Sequence, residues 1–320
     1  MNVSFCDYTV EEQLIASVRI VVYSIFTYSL FFLYLRLIYI LLTRKADYSG
    51  IFYRLLILNG CTNCVLFICL NIVGKYPLLS IYFGWEDPYE SARWKGLVIY
   101  LIYYQGVCGY IGNFFMAANR LSAFFILQSW ERVWRRLFPF VVIIYYVVPF
   151  VGFIEMLAAD GLFYANCNEF APWFDFYAIH QDPLLTEWID GDVMASIFDI
   201  TLIPTCLMLN VATIITLIVR QHLNLQMDKY TTNLIFMCLC DFFCHLLIVF
   251  ATDPSNSRSQ MIKRFFAIYM WSLDTIVMIP YLSVMICSQK LRSDVFFNFK
   301  RNSNALFVSR HATSSARFEM

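Results

Sequence analysis

Apolar residues in this chain gather into seven long runs that polar residues scarcely interrupt, at 19–42, 51–74, 97–119, 137–159, 193–218, 230–251 and 265–287. A helix rises about 1.5 Å per residue, so ~20 residues cross ~30 Å of hydrocarbon. Every run reaches that length. The predicted fold class is all-α, a seven-transmembrane helix bundle. It divides into an outer N-terminus over 1–18, the bundle over 19–287 and a cytosolic tail over 288–320.

The loops between the runs carry basic charge in alternation. On one side stand Arg44, Lys45, Arg120, Arg132, Arg135, Arg136, Arg220, Lys229 and the tail residues Lys290, Arg292, Lys300, Arg301, Arg310 and Arg317. The opposite loops hold Lys75, Arg93, Lys95, Arg258, Lys263 and Arg264. Basic residues concentrate on cytosolic loops, so the bias puts the N-terminus outside and the tail in the cytosol. The connection 160–192 has no Lys or Arg, in keeping with an outer position. Residues 1–13 carry acids and no basic residue, which is not a signal-peptide pattern, so the first run is expected to start insertion itself.

Composition agrees with a membrane protein: 60% of the chain is hydrophobic and 14% charged, against about 25% charged in soluble domains. Of eleven cysteines, only Cys6 and Cys167 fall outside the runs on the oxidising side, leaving one possible disulfide there. Cys61-x-x-Cys64 and Cys238-x-Cys240 sit inside apolar runs without a second ligand pair, so they read as packing residues and no metal site is expected. No cofactor is expected either. Asn2-Val3-Ser4 is a glycosylation sequon on the outer side.

Charges inside hydrocarbon are costly, so each calls for a reason. Glu155, Asp199, Asp241 and Asp274 fall within runs, and His245 lies one turn from Asp241, able to pair with it. The four acids serve either as hydrogen-bonding links between helices or as the lining of a ligand- or ion-accessible cavity. Arg36 and Arg54 lie near cytosolic ends, where long side chains reach the headgroups. Asn59, Asn63 and Asn113 read as interhelical partners. Gly106, Gly109 and Gly112 recur every third residue and suit a central helix that a neighbour approaches closely. Pro139, Pro149, Pro204 and Pro280 are expected to kink their helices. After the last run, Leu291, Val295, Phe296 and Phe299 share a face flanked by Lys290, Arg292, Lys300 and Arg301, a short basic amphipathic helix for the inner leaflet.

Three stretches carry a resemblance: Asn119-Arg120-Leu121-Ser122-Ala123 at the cytosolic end of the third run, Trp130-Glu131-Arg132-Val133-Trp134-Arg135-Arg136 before the fourth, and Phe52-Tyr53-Arg54-Leu55 opening the second. With the layout and Pro280-Tyr281, the chain resembles the nematode serpentine chemoreceptors, class gamma and its close relatives. The resemblance implies a G-protein-coupled receptor for environmental small molecules, at the plasma membrane and in sensory cilia. Asn119-Arg120 then occupies the place of the arginine motif that governs G-protein engagement in rhodopsin-like receptors, with Arg132, Arg135 and Arg136 beside it. The second run lacks the acid of rhodopsin-like receptors, the sixth lacks proline, and Cys108 is too deep to make their usual bridge to Cys167.

Other seven-span classes fit less well. A retinal protein needs a lysine in the last run, and no lysine lies in any run; a zinc hydrolase needs several histidines near the membrane, and only His245 lies in a run. The chain is therefore expected not to be an enzyme. A transporter or channel subunit using the intramembrane acids is the alternative. In the receptor reading a small molecule enters an outward cavity and meets Tyr103, Tyr104, Gln105, Asp199 and Asp274. The partners are then that ligand, a heterotrimeric G protein and the lipid bilayer, with no nucleic acid.

Overall fold

The computed structural model describes residues 10–44, 47–83, 91–125, 129–166, 173–179, 191–222 and 278–296. Its long helices are α1 (Val10–Thr43), α2 (Ile51–Phe83), α3 (Arg93–Phe125), α4 (Trp130–Phe153) and α5 (Gly191–His222). A 3-10 turn, Ile154–Ala158, continues α4, and strands β1 (Asp160–Asn166) and β2 (Trp173–Ile179) follow it. Two short helices close the described chain, α6 (Ile279–Cys287) and α7 (Gln289–Phe296).

Among the described residues, four segments are long and apolar enough to cross a membrane: Val21–Thr43, Ile51–Ile72, Trp130–Ala158 and Val193–Val219. The protein is a multi-pass helical bundle. The helices overrun the apolar runs that announced them. At 33 residues, α2 and α3 reach ~50 Å at 1.5 Å per residue, well past ~30 Å of hydrocarbon. Backbone hydrogen bonding does not stop where lipid gives way to headgroups, so hydrophobicity marks only the middle of each helix. The sixth run, most of the seventh, and with them Asp241, His245 and Asp274 lie outside the described residues.

The third run is not among the four apolar segments, although its helix is as long as α2. Its tyrosines, glycines, Gln105 and Asn113 lower its hydropathy. That composition suits its place: α3 packs against α2, α4, α5 and β1, and its buried side chains include Gln105, Asn119 and Arg120. A helix surrounded by protein can hold polar groups that find partners there, whereas a lipid-facing one cannot. On the outside of the bundle, Phe140 and Ile200 are 64% and 74% exposed, as residues that meet acyl chains would be.

Three apolar clusters pack among the described residues, two of them large. The larger joins Tyr34, Leu37 and Leu41 of α1, Leu55 and Leu56 of α2, Met116 of α3, Trp134 of α4, Tyr281 of α6 and Leu291 of α7. The second holds Tyr100, Val107, Cys108 and Ile111 against Tyr145, Phe153 and Met156. The glycine stripe of α3 supports the first contact surface unevenly. A Cβ on Gly112 would lie 2.5 Å from the Asn59 side chain and one on Gly109 3.4 Å from Asn63, while Gly106 faces open space. Two of the three glycines therefore allow α2 to approach, and the third does not serve that contact.

The connection 160–192 is more than an acidic loop. Its β1 and β2 pair antiparallel, from Asp160 opposite Ile179 to Asn166 opposite Trp173. Both strands are rich in aromatic and other strand-favouring residues, as the run Trp173-Phe174-Asp175-Phe176-Tyr177 illustrates. A lone two-stranded hairpin is marginal in water, and this one is fastened to the start of α3. The Ala92 and Gly161 amides each donate to the other's carbonyl at 3.0 Å, and Arg93 Nη1 donates to the Ala158 carbonyl at 2.8 Å. Gly161 crosses Lys95 and Gly96 so closely that a Cβ would collide with their backbone.

Candidate functional site

Toward the C-terminal end of α3, Asn119 and Arg120 turn into the bundle. Arg120 is 3% exposed, and its guanidinium sits 5.5 Å above the Phe52 ring of α2. Such a pairing compensates a cation with the negative face of an aromatic ring. An arginine that merely anchored the helix to headgroups would extend into water; this one does not. Asn119 is buried as well, and among the described residues its Nδ2 has no hydrogen-bond partner.

The start of α4 braces this corner through its tryptophans. Trp130 Nε1 donates to the Asn119 carbonyl at 3.0 Å, and the Ser122 hydroxyl donates to the same carbonyl at 3.0 Å. Trp134 Nε1 in turn donates to Ser122 Oγ at 2.7 Å. These bonds tie both tryptophans to the last turns of α3. With both tryptophans turned inward, Arg132, Arg135 and Arg136 stand exposed. Glu131 Oε1 accepts from Arg135 Nε at 3.2 Å and from the Ile51 amide at 3.3 Å, so it joins the starts of α2 and α4.

A second polar cluster joins the α1–α2 connection to α7. Buried Asp294 accepts from Arg44 Nη1 at 2.6 Å and from the Tyr48 hydroxyl at 2.8 Å. Lys290 reaches Asp47 at 3.0 Å and lies 5.2 Å above the Tyr48 ring. Burial, and then the bond to Asp294, push the Tyr48 phenol above its ordinary value. Sequence reasoning treated α7 as a free amphipathic segment and missed Asp294, whose carboxylate on the apolar side of that helix was the available signal. Leu291 and Val295, expected to face the inner leaflet, are instead buried against the bundle, while Phe296 is half exposed.

In the middle of the bundle, Asn59 ties three helices. Its Nδ2 donates to Asn113 Oδ1 at 3.0 Å, and its Oδ1 accepts from the Tyr145 hydroxyl at 3.1 Å. The asparagines were legible as interhelical partners; Tyr145, in an apolar stretch of α4, was not. Tyr34 of α1 donates to the Gly60 carbonyl at 3.1 Å and meets the Tyr281 ring edge-on at 4.9 Å.

The outer candidates do not converge on one face. Tyr103, Tyr104 and Gln105 leave the α3 axis about 100° apart. Tyr104 stacks on Tyr100 at 5.6 Å and donates to the Tyr146 carbonyl at 3.3 Å, toward α4. Tyr103 lies 5.6 Å from Phe153, whose ring is 6.2 Å from Phe198 of α5, the neighbour of half-buried Asp199. Gln105 is buried, and among the described residues its Oε1 has no hydrogen-bond partner. Glu155 is buried in the 3-10 turn that continues α4. Cys6, Cys167, Asn2 and Asp274 lie outside the described residues. Cys61, Cys64, Cys69, Cys108 and Cys206 are free thiols, and among the described residues no cluster of His, Cys, Asp and Glu could hold a metal ion.

A protein-family model described as Srg family chemoreceptor matches residues 20–295. A search of curated proteins found no match to the chain.

Proposed function

The chain belongs to the Srg chemoreceptor family, a family of receptors and not of enzymes, and from that premise we propose that it is a serpentine receptor of class gamma that signals through a heterotrimeric G protein. In this reading the bundle has seven spans, with 230–251 and 265–287 completing it, its N-terminus outside and its tail in the cytosol. The receptor sits in the plasma membrane, including that of sensory cilia, and α7 rests on the inner leaflet.

The observation that carries the coupling reading is the burial of Arg120 over Phe52, beside an Asn119 whose side-chain amide is left over. A buried cation at the inner mouth of the central helix is available to a partner only when neighbouring helices move apart, which is how a two-state receptor exposes a docking site. Asn119 and Arg120 form the coupling centre, and Arg132, Arg135 and Arg136 form its basic rim. The ligand occupies the outer half of the bundle, with Tyr103, Tyr104, Gln105, Asp199 and Asp274 as its contacts. Of these, Gln105 has the strongest support, because a buried acceptor without a partner favours a ligand that donates a hydrogen bond. Cys6 and Cys167 are proposed to pair, and Asn2 to carry a glycan.

The test expresses the full chain with a G-protein dissociation reporter, challenges it with a panel of odorants and compares Arg120→Ala at equal surface expression. The variant should lose the response. An unchanged response would reduce Arg120 to a packing residue, and ligand-independent ion currents without G-protein activation would favour a channel.

A further inference from the structure

The basic residues of the inner surface divide by direction. Arg120 turns into the bundle, whereas Arg132 and Arg136 stand on the outward face of α4, in line with Phe140, Ile144, Val147 and Val151, all exposed. Positions four apart share a helix face, so the arginines form the cytosolic end of the stripe that meets acyl chains. On α2 the same order holds, with exposed Arg54 below exposed Cys61 and Ile68.

Glu131 binds the two helix starts together through the Ile51 amide, which places Arg54 of α2 and Arg135 of α4 each one turn inside that joint. Glu131, at this joint, is committed to Arg135 and the Ile51 amide. Ion pairs among the described residues engage Arg44, Arg135 and Lys290, and not Arg54, Arg132 or Arg136. Three guanidinium groups thus stand where the apolar surface ends. Guanidinium matches phosphate oxygens in pairs, and basic residues at this depth draw anionic headgroups.

We propose that the joined cytosolic starts of α2 and α4 hold an anionic phospholipid of the inner leaflet, its headgroup met by Arg54, Arg132 and Arg136 and its acyl chains lying along the apolar faces above them. The three arginines are exposed beside lipid-facing residues while Arg120 is buried, so the headgroup meets them in the state in which the coupling centre is closed. The proposal rests on the orientation that puts these ends in the cytosol. An N-terminal epitope probed on intact cells tests that separately, since a reversed chain would keep the lipid preference in reconstituted bilayers.

The experiment reconstitutes the full chain in phosphatidylcholine nanodiscs and measures the binding of spin-labelled phosphatidylserine against spin-labelled phosphatidylcholine. The wild-type chain should prefer the anionic lipid, the preference should weaken with salt, and Arg54→Gln or Arg136→Gln should each reduce it by roughly fivefold. Equal binding of the two lipids by the wild-type chain would overturn the proposal, whatever the variants do. So would displacement of the labelled lipid by inorganic phosphate, which would mark a free-phosphate site. A third overturning result is loss of G-protein activation in Arg136→Gln with the lipid preference intact, which would assign the arginine to the protein partner.

Discussion

At the residue scale, much of this bundle depends on small groups with little tolerance. Gly112 is the clearest case, because a methyl group there would lie 2.5 Å from Asn59. Gly112→Ala should cost about 1–3 kcal/mol, the usual penalty of overpacking, seen as a lower melting temperature of the purified protein, while Gly106→Ala should change little. Asn59→Leu should also destabilise, since it leaves the Tyr145 hydroxyl and Asn113 without their partner; hydrogen bonds between membrane helices contribute about 0.6–1.7 kcal/mol. The glycine spacing was visible in the sequence. Which of the three glycines meets α2 was not, because a period of three on a 3.6-residue helix drifts around the axis.

At the element scale, backbone contacts join the hairpin to the start of α3. The Ala92–Gly161 pair and the close crossing at Gly96 fix β1 on α3. Gly161→Ala should free the hairpin from α3, and limited proteolysis at the outer surface of intact cells should then cut between residues 160 and 190 faster than in the wild type. Unchanged cleavage would mean that the strands hold without that crossing. The sequence announced the helices well, since a long apolar run has few alternatives in lipid. It did not announce the hairpin. Its strands are short, and their pairing depends on a helix start more than sixty positions earlier, as the Arg93–Ala158 bond shows.

At the scale of the whole molecule, the α1–α2 connection is closed against α7. Arg44 and Tyr48 hold Asp294, which lies about 250 positions away in the sequence. Asp294→Ala should lower thermal stability and loosen α7, measured as faster amide exchange over residues 289–296. The raised phenol of Tyr48 adds a pH dependence. The folded chain holds that proton more tightly than the unfolded chain, so this contribution is intact below the unfolded value of about 10 and is lost as pH rises through the higher folded value. The fall of melting temperature above pH ~10 should therefore be steeper in the wild type than in Tyr48→Phe. The sequence by itself determined the class of molecule and the location of α1 to α5, because lipid imposes length and hydrophobicity segment by segment. It also pointed to Asn119-Arg120 through a local motif. The tertiary structure alone decided that Arg120 turns inward over Phe52, that Asn59 meets Tyr145, and that Asp294 closes on Arg44. A buried polar group needs a partner at a particular place in space, and distance along the chain does not reveal which residue the fold brings there.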